Sequence, residues 1–205
     1  MMSKVVILAL ETSGDVASVA LMADGALLYA REFHEVLKGG SALAPGVAEA
    51  LALGYAPTAV AVGAGPGSYT GTRIGVTYAK MFAFARGLPL FAVPGPEALA
   101  RAEGIQTGIV AVAMAAHPGR IYGAAYDVGS SPPRVVVAPA LMILDNLIAL
   151  AGTAPCVDVP PARVTAMMVA AIAHERLVAG MEGDDMVALE PLYLQASAPE
   201  RKANP

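Results

Sequence analysis

The chain opens on an unbroken apolar run, Val5 to Leu10, and such a run reads as a strand buried on both faces. With its flanks, the strand is predicted over Lys4 to Glu11. Thr12-Ser13-Gly14-Asp15 is a turn, and Ala17 to Met22 is a second strand. Asp24-Gly25 lies between two apolar runs, the strongest short signal for a hairpin, so Ala26 to Arg31 is the third strand. Phe33 to Gly40 is a loop. A helix follows from about Ser41 to Leu53, capped by Ser41, with Pro45 in its first turn and Leu43, Val47, Ala50 and Leu51 on one face. Ala59 to Val62 and Leu88 to Val93 are further strands, Pro94-Gly95-Pro96 marks a break, and Glu97 to Glu103 is a short helix.

After Gly104 the order begins again. Strands are predicted at Ile109 to Ala115, Ile121 to Asp127 and Arg134 to Ala138, then a helix at Ala140 to Ala151, a strand at Cys156 to Val159 and a helix at Val164 to Ala179. Each half reads as a three-stranded meander followed by alternating helix and strand, which is the ribonuclease H-like arrangement. The expected fold is therefore α/β: two tandem ribonuclease H-like domains, the architecture of the actin-like and sugar-kinase ATPases. The divisions are 1–103 and a smaller 104–205. Leu192 and Leu194 are expected to dock on the body, and the last eight or so residues to be disordered.

Within the first half lies a stretch that fits neither period. Gly63 to Thr72 holds four glycines and Pro66 within ten residues, between an apolar strand and a helix expected to start near Arg73 with Thr72 as its cap. A glycine turn entering a helix presents free amides and the positive end of a dipole, which suits an anion. It suits a tight packing turn equally well. The stretch lacks the closing Gly-Lys-Ser/Thr of a phosphate loop and is no clean dinucleotide fingerprint. The helix behind it, Arg73 to Arg86, carries Ile74, Tyr78, Met81 and Ala85 on one face, flanked by Phe82 and Phe84. That is more than one apolar stripe, so the helix is either fully buried or buries a second face against another chain.

Composition narrows the function. The chain has 205 residues, is 56% hydrophobic and carries a formal net charge of −4, with a mean hydropathy of +0.59. Its 13 Lys and Arg are scattered rather than gathered in a stripe, so any nucleic-acid role is expected to run through a partner. No stretch is a convincing membrane span and no signal peptide is evident, so a cytoplasmic protein is expected. The single cysteine, Cys156, excludes an internal disulfide and reads as a packed core thiol. His34, His117 and His174 have no metal-ligand spacing. Ser68 is in no nucleophile elbow. Glu11-Thr12-Ser13 closes the first strand, where a carboxylate and two hydroxyls could hold a metal-bound phosphate; a turn bonded to its own backbone is the favoured reading.

The stretch Gly65-Pro66-Gly67-Ser68-Tyr69-Thr70-Gly71-Thr72-Arg73-Ile74-Gly75, continuing to Lys80, closely resembles the signature of the TsaB (YeaZ) family. Ile7 to Ser13, Leu88-Pro89-Leu90, Glu97 to Ala100, Gly119 to Tyr126 and Pro191 to Leu194 resemble further segments of it. Glu11 stands where the family usually has Asp, and Met81 where it usually has Gly. The resemblance implies a non-catalytic dimerisation or scaffold subunit that serves threonylcarbamoyl modification of the tRNA adenosine next to the anticodon. It pairs with a TsaD-type catalytic subunit, is joined by a TsaE-type ATPase, and forms a homodimer when alone. The metal-binding HxxxH of the catalytic relative is replaced here by Pro94 to Leu99.

The implied interface comprises Leu43, Val47, Ala50 and Leu51 of the first helix and Ile74, Thr77, Tyr78, Met81 and Phe82 of the second. No cofactor and no metal are implied, beyond weak or shared ATP/ADP contact at Thr12, Ser13, Gly65, Gly67 and Ser68. The alternative is an ATP-dependent kinase-like or protease-like enzyme of the actin-like fold.

Overall fold

The computed structural model describes residues 4–34, 43–102, 104–152, 154–159 (backbone only for 156–159) and 164–195. Alternation along its first strand sets the layers. In β1 (Val6–Glu11), Val6, Leu8 and Leu10 join one apolar cluster, while Ile7 and Ala9 join another on the opposite face. β2 (Ala17–Ala23) and β3 (Ala26–Phe33) complete an antiparallel meander. Asp24 and Gly25 turn the hairpin with φ of 48° and 80°, the positive values a two-residue hairpin turn requires. Thr58-anchored β4 (Ala59–Gly63) and then β5 (Leu90–Val93) run parallel to β1, giving the order β3-β2-β1-β4-β5.

The second sheet repeats this connectivity with one strand fewer. β6 (Ile109–His117), β7 (Arg120–Asp127) and β8 (Arg134–Met142) form the meander, and β9 (Cys156–Val159) pairs parallel with β6, in the order β8-β7-β6-β9. Among the described residues five helices cover the sheets: α1 (Leu43–Leu51), α2 (Tyr69–Arg86), α3 (Gly95–Ala102), α4 (Leu144–Ala151) and α5 (Ala166–Val178). α1 and α2 lie on the outer face of the first sheet, through Leu43, Val47, Ala50, Val76, Ala79 and Ala83. On the inner faces the halves exchange helices. α5, late in sequence, crosses β1, β2 and β4 of the first sheet, while α3 packs on β6 and β7 of the second. One apolar cluster therefore runs through both halves, from Ile7 and Ala61 to Val112 and Tyr126.

Ion pairs pin that exchange. Arg176 of α5 pairs with the buried Glu97 of α3 at 2.6 Å and donates to the carbonyl of Ala92 at 2.8 Å. Arg101 of α3 grips Glu175 of α5 with two bonds of 2.7 and 2.9 Å, and Ser131 donates to the same carboxylate. Burial pushes the Glu97 carboxyl up from its ordinary range, and the Arg176 charge opposes that push.

Three expected boundaries shift for physical reasons. α2 starts at Tyr69, not near Arg73, because Ser68 rather than Thr72 is its cap. β8 runs on to Met142, through Pro139, so α4 begins at Leu144 and not at Ala140. An edge strand tolerates a proline because half its amides have no partner to lose. Pro94-Gly95-Pro96 is less a break than a helix start, with Pro96 in the first turn of α3. Gly104 falls between α3 and β6. The expected Ser41 cap and the disordered tail lie outside the described residues, as does the side chain of Cys156.

Candidate functional site

α2 is built on small residues facing in and large residues facing out. Its buried positions are Gly71, Thr72, Gly75, Val76, Ala79 and Ala83. A Cβ on Gly71 would collide with the Thr12 carbonyl, one on Gly75 with the Thr12 hydroxyl, and one on Gly67 with the Ser13 carbonyl. These glycines serve close approach to the turn after β1; among them only Gly65 needs its freedom of φ, at 89°. Thr12 donates its hydroxyl to the Gly71 carbonyl at 2.7 Å, so helix and turn are bonded as well as packed.

This seating occupies several of the polar groups that an anion would need. The Ser68 amide donates to the Ser13 carbonyl at 2.7 Å, and the Gly71 amide to the Ser68 hydroxyl at 3.2 Å. Thr72 donates its hydroxyl to the Ser68 carbonyl at 2.8 Å. Pro66 and Gly67 do line a cavity of about 300 Å³ between the two sheets, with Ser13 to Val16, Met114, Ala115, Tyr122 and Val164. Among the described residues its walls hold no lysine or arginine, and their one charged side chain is Asp15, a carboxylate. Of the expected nucleotide contacts, Ser13 and Gly67 border this cavity; Thr12, Gly65 and Ser68 are engaged within the turn. The described lining offers a phosphate no cationic side chain.

Glu11 does not reach the cavity either. Its carboxyl is fully buried, lies over Gly63 and accepts from the Ser13 amide. A side chain on Gly63 would occupy the same space. The second carboxyl oxygen has no hydrogen-bond partner among the described residues. Burial pushes its pKa up, and the Ser13 and Thr12 bonds only partly offset this. Glu11 acts as a brace inside its turn rather than a ligand aimed outward. Among the described residues no His, Cys, Asp and Glu group gathers in a metal-binding cluster.

The outer side of α2 is the protein's conspicuous surface. Met81 is 64% and Phe84 76% exposed, with Thr77 and Tyr69 also outward and Ile74, Tyr78 and Phe82 half-buried beside them. Leu43, Val47 and Ala50, expected at an interface, are instead spent on the chain's own core against β2, and Leu51 is half-buried. The face that α1 turns outward carries Ala44, Pro45, Ala48 and Glu49. Glu49 is occupied there by Arg31 and Tyr29.

A strap from Asp184 to Gln195 frames the same surface. Lys80 of α2 donates to the Leu189 carbonyl at 2.9 Å, and the Leu192 amide to the Ala64 carbonyl at 2.8 Å. Tyr193 stacks on Tyr69 at 4.8 Å between ring centroids, and the Arg73 guanidinium lies 4.9 Å from the Tyr69 ring centre. Leu194 docks on the shared core, as expected, and Gln195 donates to the Tyr122 hydroxyl. The sequence reading missed Tyr69 and Tyr193, and it named Phe84 beside the apolar face of the helix without placing it at the interface. The signal for Tyr193 was its place between two leucines in an extended segment, which turns it opposite to them.

The family model described as TsaD: tRNA N6-adenosine threonylcarbamoyltransferase matches residues 43–177. The chain belongs to that family, and the relatives that resemble it carry TsaB and YeaZ names. It is 40% identical over 68 residues to the "tRNA threonylcarbamoyladenosine biosynthesis protein TsaB" of Bacillus subtilis, covering 33% of this chain and 30% of that one. With the protein of the same description from Haemophilus influenzae it shares 35% identity over 127 residues, 59% of this chain and 53% of that one. The matches thus span at most about half the length of these relatives. Among solved structures, a Pseudomonas aeruginosa protein with similarity to peptidase YeaZ superposes with a TM-score of 0.76 at 25% identity, over 93% of this chain and all (100%) of that one. YeaZ from the same organism gives 0.73 at 25% identity and the same coverage, 93% and 100%.

Proposed function

We propose that this protein is a non-catalytic dimerisation subunit for threonylcarbamoyl modification of the tRNA adenosine next to the anticodon. It pairs with a TsaD-type threonylcarbamoyltransferase through the outer face of α2, and a TsaE-type ATPase joins the pair in the cytoplasm. Contact with tRNA runs through the partner. The observation that carries this reading is the construction of α2: a glycine and alanine stripe seats it on its own sheet while Met81 and Phe84 stand in water. Large apolar groups rimmed by polar ones mark a surface that another protein covers. Support for a non-catalytic role comes from the inward carboxyl of Glu11 and from a cavity whose one charged side chain among the described residues is Asp15. We read the two sheets of like connectivity as two tandem ribonuclease H-like domains, with the boundary near Gly104.

The test is co-purification with the TsaD-type subunit. Met81→Glu is expected to abolish capture while circular dichroism and melting stay those of the wild type. Undiminished capture by a folded Met81→Glu protein would remove this face from the interface. The cavity between the sheets favours one rival, an ATP-dependent enzyme. Calorimetry of the pure chain with ATP and Mg²⁺ decides it: the subunit reading expects weak or no binding, and tight binding with turnover overturns it.

A further inference from the structure

We infer that the cavity between the two sheets is a binding site for a small organic cation, an alkylammonium whose apolar body fills the floor and whose charge rests on Asp15 at the rim. The inference stands apart from the outer face of α2. The cavity holds about 300 Å³, the small end of the range of ligand sites, roughly 300–1,000 Å³. Its floor and its rim differ in kind. Pro66, Met114, Tyr122 and Val164 line it and are buried, so the floor is apolar. The hydroxyl of Tyr122 is already engaged by Gln195. Thioether and aromatic groups are polarisable and tolerate the methylenes next to a cationic nitrogen.

The rim is exposed and is made of Gly14, Asp15, Gly67 and Ala115. Among the described residues the Asp15 carboxylate pairs with no cation. It is therefore the one charge of the described lining that an entering ligand meets. Its neighbours on the rim are small. Gly67 is bare because the Ser13 carbonyl takes the place of a Cβ. Gly14 has no such reason. Its φ is not positive, and a Cβ there would meet nothing within 4 Å. Neither backbone nor packing demands glycine at that point, and its absence of a side chain leaves the rim open beside Asp15.

An apolar floor under a single rim carboxylate selects by sign. A nucleotide would bring its phosphates against Asp15, and a carboxylic acid would do the same. A neutral apolar molecule would gain from the floor and nothing from the rim. An amine on an apolar stem gains from both, and the formal net charge of −4 biases the whole surface toward cations.

Titration of the full chain, labelled at its methionine methyl groups, tests the inference. The probe is n-hexylammonium, with hexanol and hexanoate as its neutral and anionic counterparts. Hexylammonium is expected to shift the Met114 methyl signal to saturation. Hexanol should bind about 5-fold more weakly, the worth of one partly solvated ion pair, and hexanoate more weakly still. Asp15→Asn should bring hexylammonium down to the level of hexanol and leave hexanol unchanged. Because Asp15 is exposed and unpaired among the described residues, its melting temperature should stay that of the wild type. Ala115→Leu, which narrows the rim, should abolish both. Equal affinity for the three probes overturns the inference, as does a preference for hexylammonium that survives Asp15→Asn. A Met114 signal that no probe saturates removes the site, and unaltered binding by a folded Ala115→Leu protein puts the ligand elsewhere. ATP with Mg²⁺ that moves the Met114 signal at lower concentration than hexylammonium overturns the cation reading and favours the ATP-dependent rival instead.

Discussion

The two sheets share a connectivity and are clad differently. The first carries α1 and α2 on its outer face, and α2 is drawn so close that glycines replace side chains at the contact. Among the described residues the second carries only α4 there, and α4 buries a single residue, Leu147, while Ile148 and Leu150 are 50% and 60% exposed. The same pattern of strands thus supports one face packed to the limit of approach and one packed loosely. Apolar composition does not separate them. What separates them is the size of the residues at the contact, because glycine and alanine let a helix sink onto a sheet and leave its large side chains for another use.

Substitutions can break or sharpen this contrast. Gly71→Val should have the largest effect, about 3 kcal/mol or more, because the new side chain meets the Thr12 backbone carbonyl, which cannot rotate away. Denaturant unfolding measures it, and an unchanged midpoint would mean that α2 is not seated as described. Leu147→Ala should cost about 2–3 kcal/mol, the low end for a buried leucine, since α4 can settle over the gap. A cost above that of Gly71→Val would reverse the ranking of the two faces.

Glu11→Gln has a smaller effect, visible as a change in pH dependence. The folded pKa of Glu11 lies above the ordinary carboxyl value of 4.5, so the stability linked to its proton is complete below that value and is lost as pH rises through the folded pKa. The wild type should therefore lose melting temperature as pH rises above 4.5, and Glu11→Gln should flatten that limb. Parallel melting curves for the two proteins would place the charge elsewhere. Ile148→Lys should be the mildest, within about 0.5 kcal/mol, because the residue is already half in water.

Both meanders were legible in the sequence. The unbroken run of β1, the Asp24-Gly25 hairpin and the second apolar triplet each fixed their strands by period or turn chemistry alone. The glycine stretch was legible as unusual but not as to purpose. Glycine signals a turn and a close approach with the same letter, and only the position of Thr12, some 59 residues distant in sequence from Gly71, distinguishes them. The core face of α2 was hidden for a related reason. Hydrophobic periodicity weights large side chains, and here Ile74, Met81 and Phe84 lie off the core face, which Gly71, Gly75, Ala79 and Ala83 form. The opposite held for α1, where the large apolar residues do point inward. Glu11 read as a possible ligand because its partners in space, Gly63 and Ser13, come from the end of another strand and from its own turn.

The strap bears on more than the tyrosine stack. β5 is the last strand of the first sheet, and a strand in that place presents unpaired backbone groups that another chain can adopt. Asp184 meets them: its amide donates to the Leu90 carbonyl at 2.7 Å, and its carboxylate accepts from the Ala92 amide at 2.7 Å. A single residue with a charged side chain closes the edge without offering a new edge of its own. The segment that frames the outer face of α2 is thereby also a guard against sheet-to-sheet polymerisation, so shortening this protein before Asp184 would expose it to aggregation.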